Sequence, residues 1–546
     1  MLSYTLLTYG VGPVEEASGS GVLGLASRLC GLVLSKPRCV ILVRLLLSVP
    51  GVSSDDIVLY QRVEYNMRVA VVATWGLPLM WRRVRYFVPK FPSKLCGRPS
   101  DYSEVALERE GYSSTAVVRD ALAGHEVHVV VVGQESIVAK CRNAPKELSD
   151  GKQKVDAEVC RLNGELHGGV AGVEELRREA EDRLRRYVEL FLGRADVVVL
   201  PAVGWYEGYR FSGSLDSAGF FIVDEVYRRL EQLAPDAVVL DVTHGINYMP
   251  LFAQQAAYMA SKALYVRRGA PRCLLVVNSD PVAQDGQDAA INIAESVELK
   301  GTALEEVLGD LRTDADIRPL RHLKGAPREA TETTNAVRQL VRGVVDRLGV
   351  LPNALRLGLL LYFAQEGGYV GKLAEEAAKA AEEVREAVLK ASLERDGPWV
   401  RVVRRLAADP GLARLRILMD VLAWAHGEVQ RCGAGDGFYR LGCLGDAAKA
   451  LKLGVVGETL LENEIYSLSD KLEGWAEEGP RLACEAMGES CKPCSADRRI
   501  LIAHAGLAKA LIEVARRDGE LYVRLRRDCA DVVADHLKTP RKTDGG

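Results

Sequence analysis

The sequence predicts an α/β domain followed by an all-α half, on three observations. Short β-branched runs recur between Met67 and about residue 300, with helical patterns between them. Beyond about residue 300 that signal stops, and Ala, Leu, Glu, Arg and Lys at helical spacing take over. A chain of 546 residues with 48% hydrophobic residues can also bury several cores, at about 100 to 200 residues per domain.

Residues 1–66 are rich in Gly, Ser, Val and Leu without a sustained period and stop just before Met67. They read as an N-terminal extension with a misassigned start, Met67 being the real one. Their Gly19-Ser-Gly21-Val-Leu-Gly24 run is formally a dinucleotide fingerprint, but it follows Glu15-Glu-Ala-Ser rather than a strand, so the structural context fails. The apolar runs around Arg44 fall well short of the roughly 18 to 20 residues a membrane helix needs, and no signal peptide is visible. A cytoplasmic protein with no membrane partner is expected.

The strands of the α/β part are VAVVAT (69–74), VHVVVV (127–132), VVVL (197–200), AVVLD (237–241) and CLLVVN (273–278). Runs this continuously apolar suit a parallel sheet covered on both faces. Helical patterns at Glu174–Leu192 and Ser217–Ala234 supply the crossovers, which gives a Rossmann-like doubly wound domain over 67–300. Residues 301–335, with the TETTN tract, read as a connector. Residues 336–546 read as helical, for example over Lys372–Arg395 and Leu412–His426, with loops at Gly433–Gly437 and Gly488–Asp497.

Ligands in doubly wound folds sit at the carboxyl ends of the strands, so the residues after each run are the candidates. After the first come Trp75 and Gly76; the glycine admits a close backbone approach, and Trp75 or Trp81 either stacks on a base or covers the sheet. Ser113-Ser114-Thr115 opens a helix whose N-terminus offers hydroxyls and N–H groups to an anion, or is an ordinary cap. The turn Asp241-Val-Thr243-His244-Gly245-Ile-Asn247-Tyr-Met249 packs Thr, His, Gly and Asn into five positions, a poor core and a good concave polar site for a nucleotide.

Near the C-terminus, Arg499 and His504 pair an anion clamp with a proton-transfer group, a combination that suits cutting RNA. RNA carries its own nucleophile, the 2'-hydroxyl, so no metal is needed. On a straight helix the two side chains point about 140° apart, so Arg499 is expected to work from the first turn, with Ser495 or Asp497 as N-cap. The net charge of -3 confines any RNA contact to a local cleft. Twelve cysteines, with Arg favoured over Lys and few Asn, are compatible with a thermophilic source and intracellular disulfides. Cys484, Cys491 and Cys494 form one tight group, open to zinc, a disulfide or free thiols.

Four segments, VATWGLPLMWRRVRY (72–86), SSTAVV (113–118), PAVGWYEGYRFSG (201–213) and LDVTHGINYMP (240–250), resemble the sensor of the CRISPR-associated CARF-HEPN ribonucleases of type III systems. The resemblance runs from Met67 to the C-terminus. It implies a CARF sensor that binds a cyclic oligoadenylate, cyclic tetra-adenylate above all, across a homodimer or an oligomer of dimers. It implies a C-terminal HEPN domain in which R-x-x-x-x-H motifs of two subunits form one metal-free endoribonuclease site for single-stranded RNA in antiviral defence. Trp75, Gly76, Ser113, Thr115, Thr243, His244, Gly245, Asn247 and Met249 carry over to the activator pocket, and Arg499 and His504 to catalysis. Ile500 stands where a small polar residue often follows the arginine. Arg498 offers a second phosphate contact or, at one residue more spacing, the motif arginine, with Asp497 beside it. Two rivals remain: a CARF transcription regulator with a helix-turn-helix in 335–430, and a ring nuclease using Thr243 or His244 on the messenger.

Overall fold

The computed structural model describes residues 67–538 other than 90, 92–94, 96–104, 143, 145–147, 170–171, 247, 312–316, 476–478 and 491. The extension 1–66, with its Gly19–Gly24 run, and the candidate Asn247 lie outside the described residues.

The first part of the chain contains β1 (Arg68–Thr74), β2 (Val84–Pro89), β3 (Val105–Gly111), β4 (Glu126–Gln134), β5 (Asp196–Leu200), β6 (Gly204–Tyr206), β7 (Tyr209–Ser212), β8 (Ala237–Asp241), β9 (Cys273–Ser279) and β10 (Asp288–Glu298). Its helices are α1 (Ser114–Ala121), α2 (Gly151–Gly169), α3 (Val173–Leu192), α4 (Leu215–Leu233) and α5 (Tyr248–Arg268). Eight strands form one sheet in the order β3-β2-β10-β9-β8-β1-β4-β5. β1 pairs in parallel with both β4 and β8, so the chain winds outward to β5, returns, and winds out again to β9. That reversal places the ligand-binding crevice of a doubly wound fold at the carboxyl ends of β1 and its neighbours. β10 closes one side antiparallel to β9 and joins the β2–β3 hairpin.

Alternation along β1 assigns the two faces. Ala70 and Val72 pack with Phe220, Phe221 and Ala256 of α4 and α5, whereas Val69, Val71 and Ala73 pack with Val117 of α1 and Leu184 and Tyr187 of α3. The α4–α5 face does not end at the sheet, because its core continues into the second half of the chain.

That half contains α6 (Leu304–Asp310), β11 (Leu320–His322), α7 (Arg328–Leu348), α8 (Leu351–Arg356), α9 (Leu360–Glu366), α10 (Val370–Leu389), β12 (Ala391–Asp396), β13 (Trp399–Arg404), β14 (Leu406–Ala408) and α11 (Pro410–Gln430). It goes on through β15 (Tyr439–Arg440), α12 (Leu441–Leu451), α13 (Val455–Lys471), β16 (Arg481–Leu482), α14 (Ala483–Ala486), α15 (Arg498–Ala503), β17 (Ile512–Arg517), β18 (Glu520–Leu525) and α16 (Ala530–Leu537). Phe220 and Phe221 are buried where α4 meets this half, each contributing about 2 to 3 kcal/mol. Between them and the ion pairs, apolar burial supplies the adhesion. Asp224 of α4, paired with Arg385 of α10 and Arg416 of α11 at 2.5 Å each, fixes register instead.

Two expectations are corrected here. The helix expected over Lys372–Arg395 ends at Leu389, and residues 391–404 are a hairpin turning at Gly397, with φ +58°. β13 then pairs in parallel with β7, extending a sheet of the first part, and buried Arg404 reaches buried Glu135 at 2.6 Å. The TETTN tract lies inside α7, where Thr334 satisfies its hydroxyl by donating to the Ala330 carbonyl at 2.7 Å. The run around Arg499 is one short helix, followed by the β17–β18 hairpin across Asp518 and Gly519, with φ +51° and +79°. Two positive φ angles in a two-residue loop match the right-handed twist of the flanking strands.

Candidate functional site

At the carboxyl end of β1, the Trp75 N–H still donates to Val132 of β4, at 2.8 Å, and the Gly76 N–H to the His244 carbonyl at 2.6 Å. A Cβ on Gly76 would lie 2.6 Å from Ile246 Cγ1, and one on Gly245 2.4 Å from Pro250 Cγ, so both glycines are required by close approach. Asp241, buried at the end of β8, organises the polar floor. Its Oδ2 accepts from the Ser114 and Thr115 hydroxyls at 2.7 Å each, and its Oδ1 from the Thr243 N–H at 3.0 Å. Thr115 Oγ1 in turn accepts from Trp75 Nε1 at 3.0 Å, and Ser113 caps α1 by accepting from the Ala116 N–H at 3.3 Å.

His244 accepts the Ser114 N–H through Nε2 at 3.1 Å. Burial pushes its imidazole down to about 4, against the opposing pull of the Asp241 carboxylate, so the ring is neutral at pH 7 and carries its proton on Nδ1. The Trp81 indole stacks on it, with ring centres 3.9 Å apart, and Trp75 meets Trp81 edge-on at 4.8 Å.

A cleft of about 520 Å³ opens above this floor, lined by Trp81, Arg82, Thr243, His244, Asn278 and Asp280. Of the candidates, Thr243 and His244 face it, while Gly76 and Gly245 shape its backbone. Trp75, Ser113 and Thr115 are buried beneath it, and Met249 is buried in the first turn of α5. Trp81, not Trp75, therefore presents an indole to the cleft. Arg82, which makes no ion pair among the described residues, and the β9 end were missed. The signal for Asn278, Ser279 and Asp280 was their place at the carboxyl end of a strand, and Ser279 donates its N–H to Thr243 Oγ1 at 3.1 Å.

The second cluster is built on α15. Asp497, not Ser495, caps it by accepting the Ile500 N–H at 2.8 Å. Arg498 and Arg499 occupy its first turn, exposed and without an ion pair among the described residues. Ala505 and Gly506 take positive φ, +46° and +75°, and Gly506 N–H donates to Leu501 O at 2.9 Å, which stops the helix. His504 is thus the C-cap, and the angle of about 140° expected on a continuous helix does not apply. Its Nδ1 lies 2.9 Å from Glu464 Oε2 on α13, and its Nε2 has no hydrogen-bond partner among the described residues. Glu464, remote in sequence, had no signal. Upstream, Cys494 is in a disulfide with Cys529 and Cys484 is disulfide-bonded, whereas Cys491 lies outside the described residues.

Residues 70–281 match the CARF domain, and residues 455–527 the HEPN domain, of CRISPR system endoribonuclease Csx1. Both clusters fall inside these segments. The CRISPR system endoribonuclease Csx1 of Methanocaldococcus jannaschii is 24% identical over 241 residues, 43% of this chain. The match spans 42% of that relative's own length. With the two domains matched in order along one chain, the chain belongs to the CARF-HEPN family of the CRISPR system endoribonucleases Csx1.

Proposed function

We propose that the chain is a CRISPR-associated endoribonuclease of type III defence, switched on by a cyclic oligoadenylate at the CARF cleft and cutting single-stranded RNA at the HEPN pair without metal. The observation that carries this reading is the state of the second cluster: among the described residues the Arg499 guanidinium has no ion pair, and His504 has one ring nitrogen held and the other open. Arg499 binds the scissile phosphate, from a helix start whose free N–H groups already favour an anion. His504 Nε2 takes the 2'-hydroxyl proton, or delivers one to the leaving 5'-oxygen. A 2'-oxygen–phosphorus bond forms as the phosphorus–5'-oxygen bond breaks, leaving a 2',3'-cyclic phosphate and a 5'-hydroxyl with no water consumed. Arg498 supplies a second phosphate contact.

Each chain offers one such pair, and on this reading, as the family resemblance implies, two chains join theirs to build the working site. Val455, Val456 and Tyr466 on α13, the helix that carries Glu464, and Ile500 next to Arg499 are exposed, apolar surface that a second copy would cover. The CARF cleft is also half-sized. At about 520 Å³ it suits a drug-sized ligand, so a ring of four nucleotides needs two clefts facing across a twofold axis, each with Arg82 for phosphate and Thr243 and Asn278 for polar contacts.

The test is cleavage of a fluorescent single-stranded RNA in EDTA, with and without cyclic tetra-adenylate, by the chain and its Arg499→Ala and His504→Ala variants. Ring-dependent cleavage that falls by at least about a thousandfold in both variants supports the reading. A strict Mg²⁺ requirement removes the mechanism. Duplex DNA binding without RNA cutting favours a transcription regulator, and conversion of the ring to a linear product without RNA cutting favours a ring nuclease.

A further inference from the structure

We infer that Glu464 is a positioning residue for His504: its carboxylate fixes the imidazole so that Nε2, and not Nδ1, meets the RNA. The inference rests on the ribonuclease reading above and deepens it. Two observations carry it. The first is the bond itself, His504 Nδ1 to Glu464 Oε2 at 2.9 Å, between residues forty positions apart on different helices. A carboxylate on Nδ1 leaves the neutral ring with its proton there and a free lone pair on Nε2. It also stabilises the imidazolium that forms once Nε2 has taken a proton.

The second is where the acid sits. Leu461 and Leu468, 1% and 2% exposed, anchor α13, and Glu464 lies three residues after one and four before the other, on the same stripe. Its side chain is accordingly only 16% exposed, beside a histidine that is 45% exposed. An apolar residue at that position would serve the packing without desolvating a charge. Among the described residues His504 is its one hydrogen-bond partner, whereas the neighbouring Glu462 faces out and pairs with Lys449 at 2.8 Å. A partly exposed carboxylate–imidazole hydrogen bond contributes little to folding, so stability does not explain the placement.

Glu464 touches no substrate atom and acts through the ring, which separates its signature from that of Arg499. On the full chain with cyclic tetra-adenylate and fluorescent RNA in excess, Glu464→Ala is expected to lower kcat about tenfold to a hundredfold and leave KM within about twofold. Glu464→Gln, whose amide oxygen still accepts from Nδ1–H, is expected to recover most of that loss. Added formate, a small carboxylate that fits the space vacated in Glu464→Ala, is expected to raise its rate severalfold and leave the wild type unchanged. Thermal melts of each variant identify any loss that is only misfolding; the Gln variant and the formate rescue then decide. The proposal fails if Glu464→Ala keeps kcat within twofold while His504→Ala is dead, or if neither Gln nor formate restores rate. Full activity in His504→Ala overturns the ribonuclease reading itself, and this proposal with it.

Discussion

The two clusters hold their polar groups in opposite ways. In the turn after β8 the functional surface is thin and its support deep: Asp241, Ser114 and Thr115 are buried and satisfy one another, and Trp75 locks the ring of bonds from below. On α15 the functional groups are bare: two arginines without ion pairs among the described residues and one histidine tethered by a single carboxylate. A binding site that must recognise one shape benefits from preorganisation, because every group ordered beforehand lowers the entropy cost of binding. On the proposed function, a site that recruits a phosphate and a second subunit needs its charges unspent. The difference locates each site's vulnerability, backbone geometry in the first and individual side chains in the second.

The sharpest way to break this contrast is to damage the sensor turn without touching a hydrogen-bonding group. Gly245→Ala places a methyl 2.4 Å from Pro250 Cγ and 2.5 Å from Thr74 Oγ1, and neither is the far end of a flexible chain. Overpacking of this kind costs about 1 to 3 kcal/mol. Affinity for cyclic tetra-adenylate, measured by calorimetry, is expected to fall about tenfold or more, with activity at saturating ring largely retained. An unchanged affinity would mean that the turn is pliable and the contrast wrong.

The connection between the sites can be sharpened next. α5 begins at the sensor turn and ends at Arg268, and near that end Lys452 Nζ donates to the Val266 and Tyr265 carbonyls at 3.0 and 3.4 Å. Burial holds the Lys452 ammonium below its usual range, and the negative end of the helix holds it in place. Lys452 also accepts the Leu304 N–H and stands two residues before Gly454, the N-cap of α13, which carries Glu464. On the proposed role of Glu464, a shift of α5 is expected to reach His504 through Lys452 and α13. In Lys452→Met the ring is expected to bind within about threefold of wild type, while its stimulation of cleavage falls about fivefold to tenfold, near the lower end of ordinary coupling energies. Equal stimulation in wild type and variant would place the coupling elsewhere.

How much of this was legible in the sequence depended on the range of the interactions. The five apolar strands emerged within a residue or two because their pattern is local and continuous. The sensor turn was legible because it packs polar residues where a core would be. Both hairpins of the second half were hidden in charged, helix-like composition, although Asp396-Gly397 and Asp518-Gly519 marked their turns. The burial of Trp75 and the reach of Glu464 belong to tertiary structure, and no spacing rule connects residue 464 to residue 504.

The smallest effect tests whether α15 is as lightly supported as its surface suggests. The helix has six residues, too few to persist on propensity alone, and Asp497 satisfies one of its free N–H groups. The same carboxylate sits one residue from Arg498 and two from Arg499, so it also weakens the positive field offered to a phosphate. Removing it in Asp497→Ala sets these contributions against each other: about 1 kcal/mol of local helix stability is lost while the guanidinium groups gain freedom. The cap is expected to win, because a frayed first turn loses both the position of Arg499 and the N–H groups that assist it. Hydrogen exchange across 498–503 should accelerate about fivefold. RNA cleavage should fall by a factor of about two to five, through KM more than kcat, since phosphate capture is what the turn supports. A lower KM in the variant would reverse that ranking, with the charge of Asp497 then outweighing its cap.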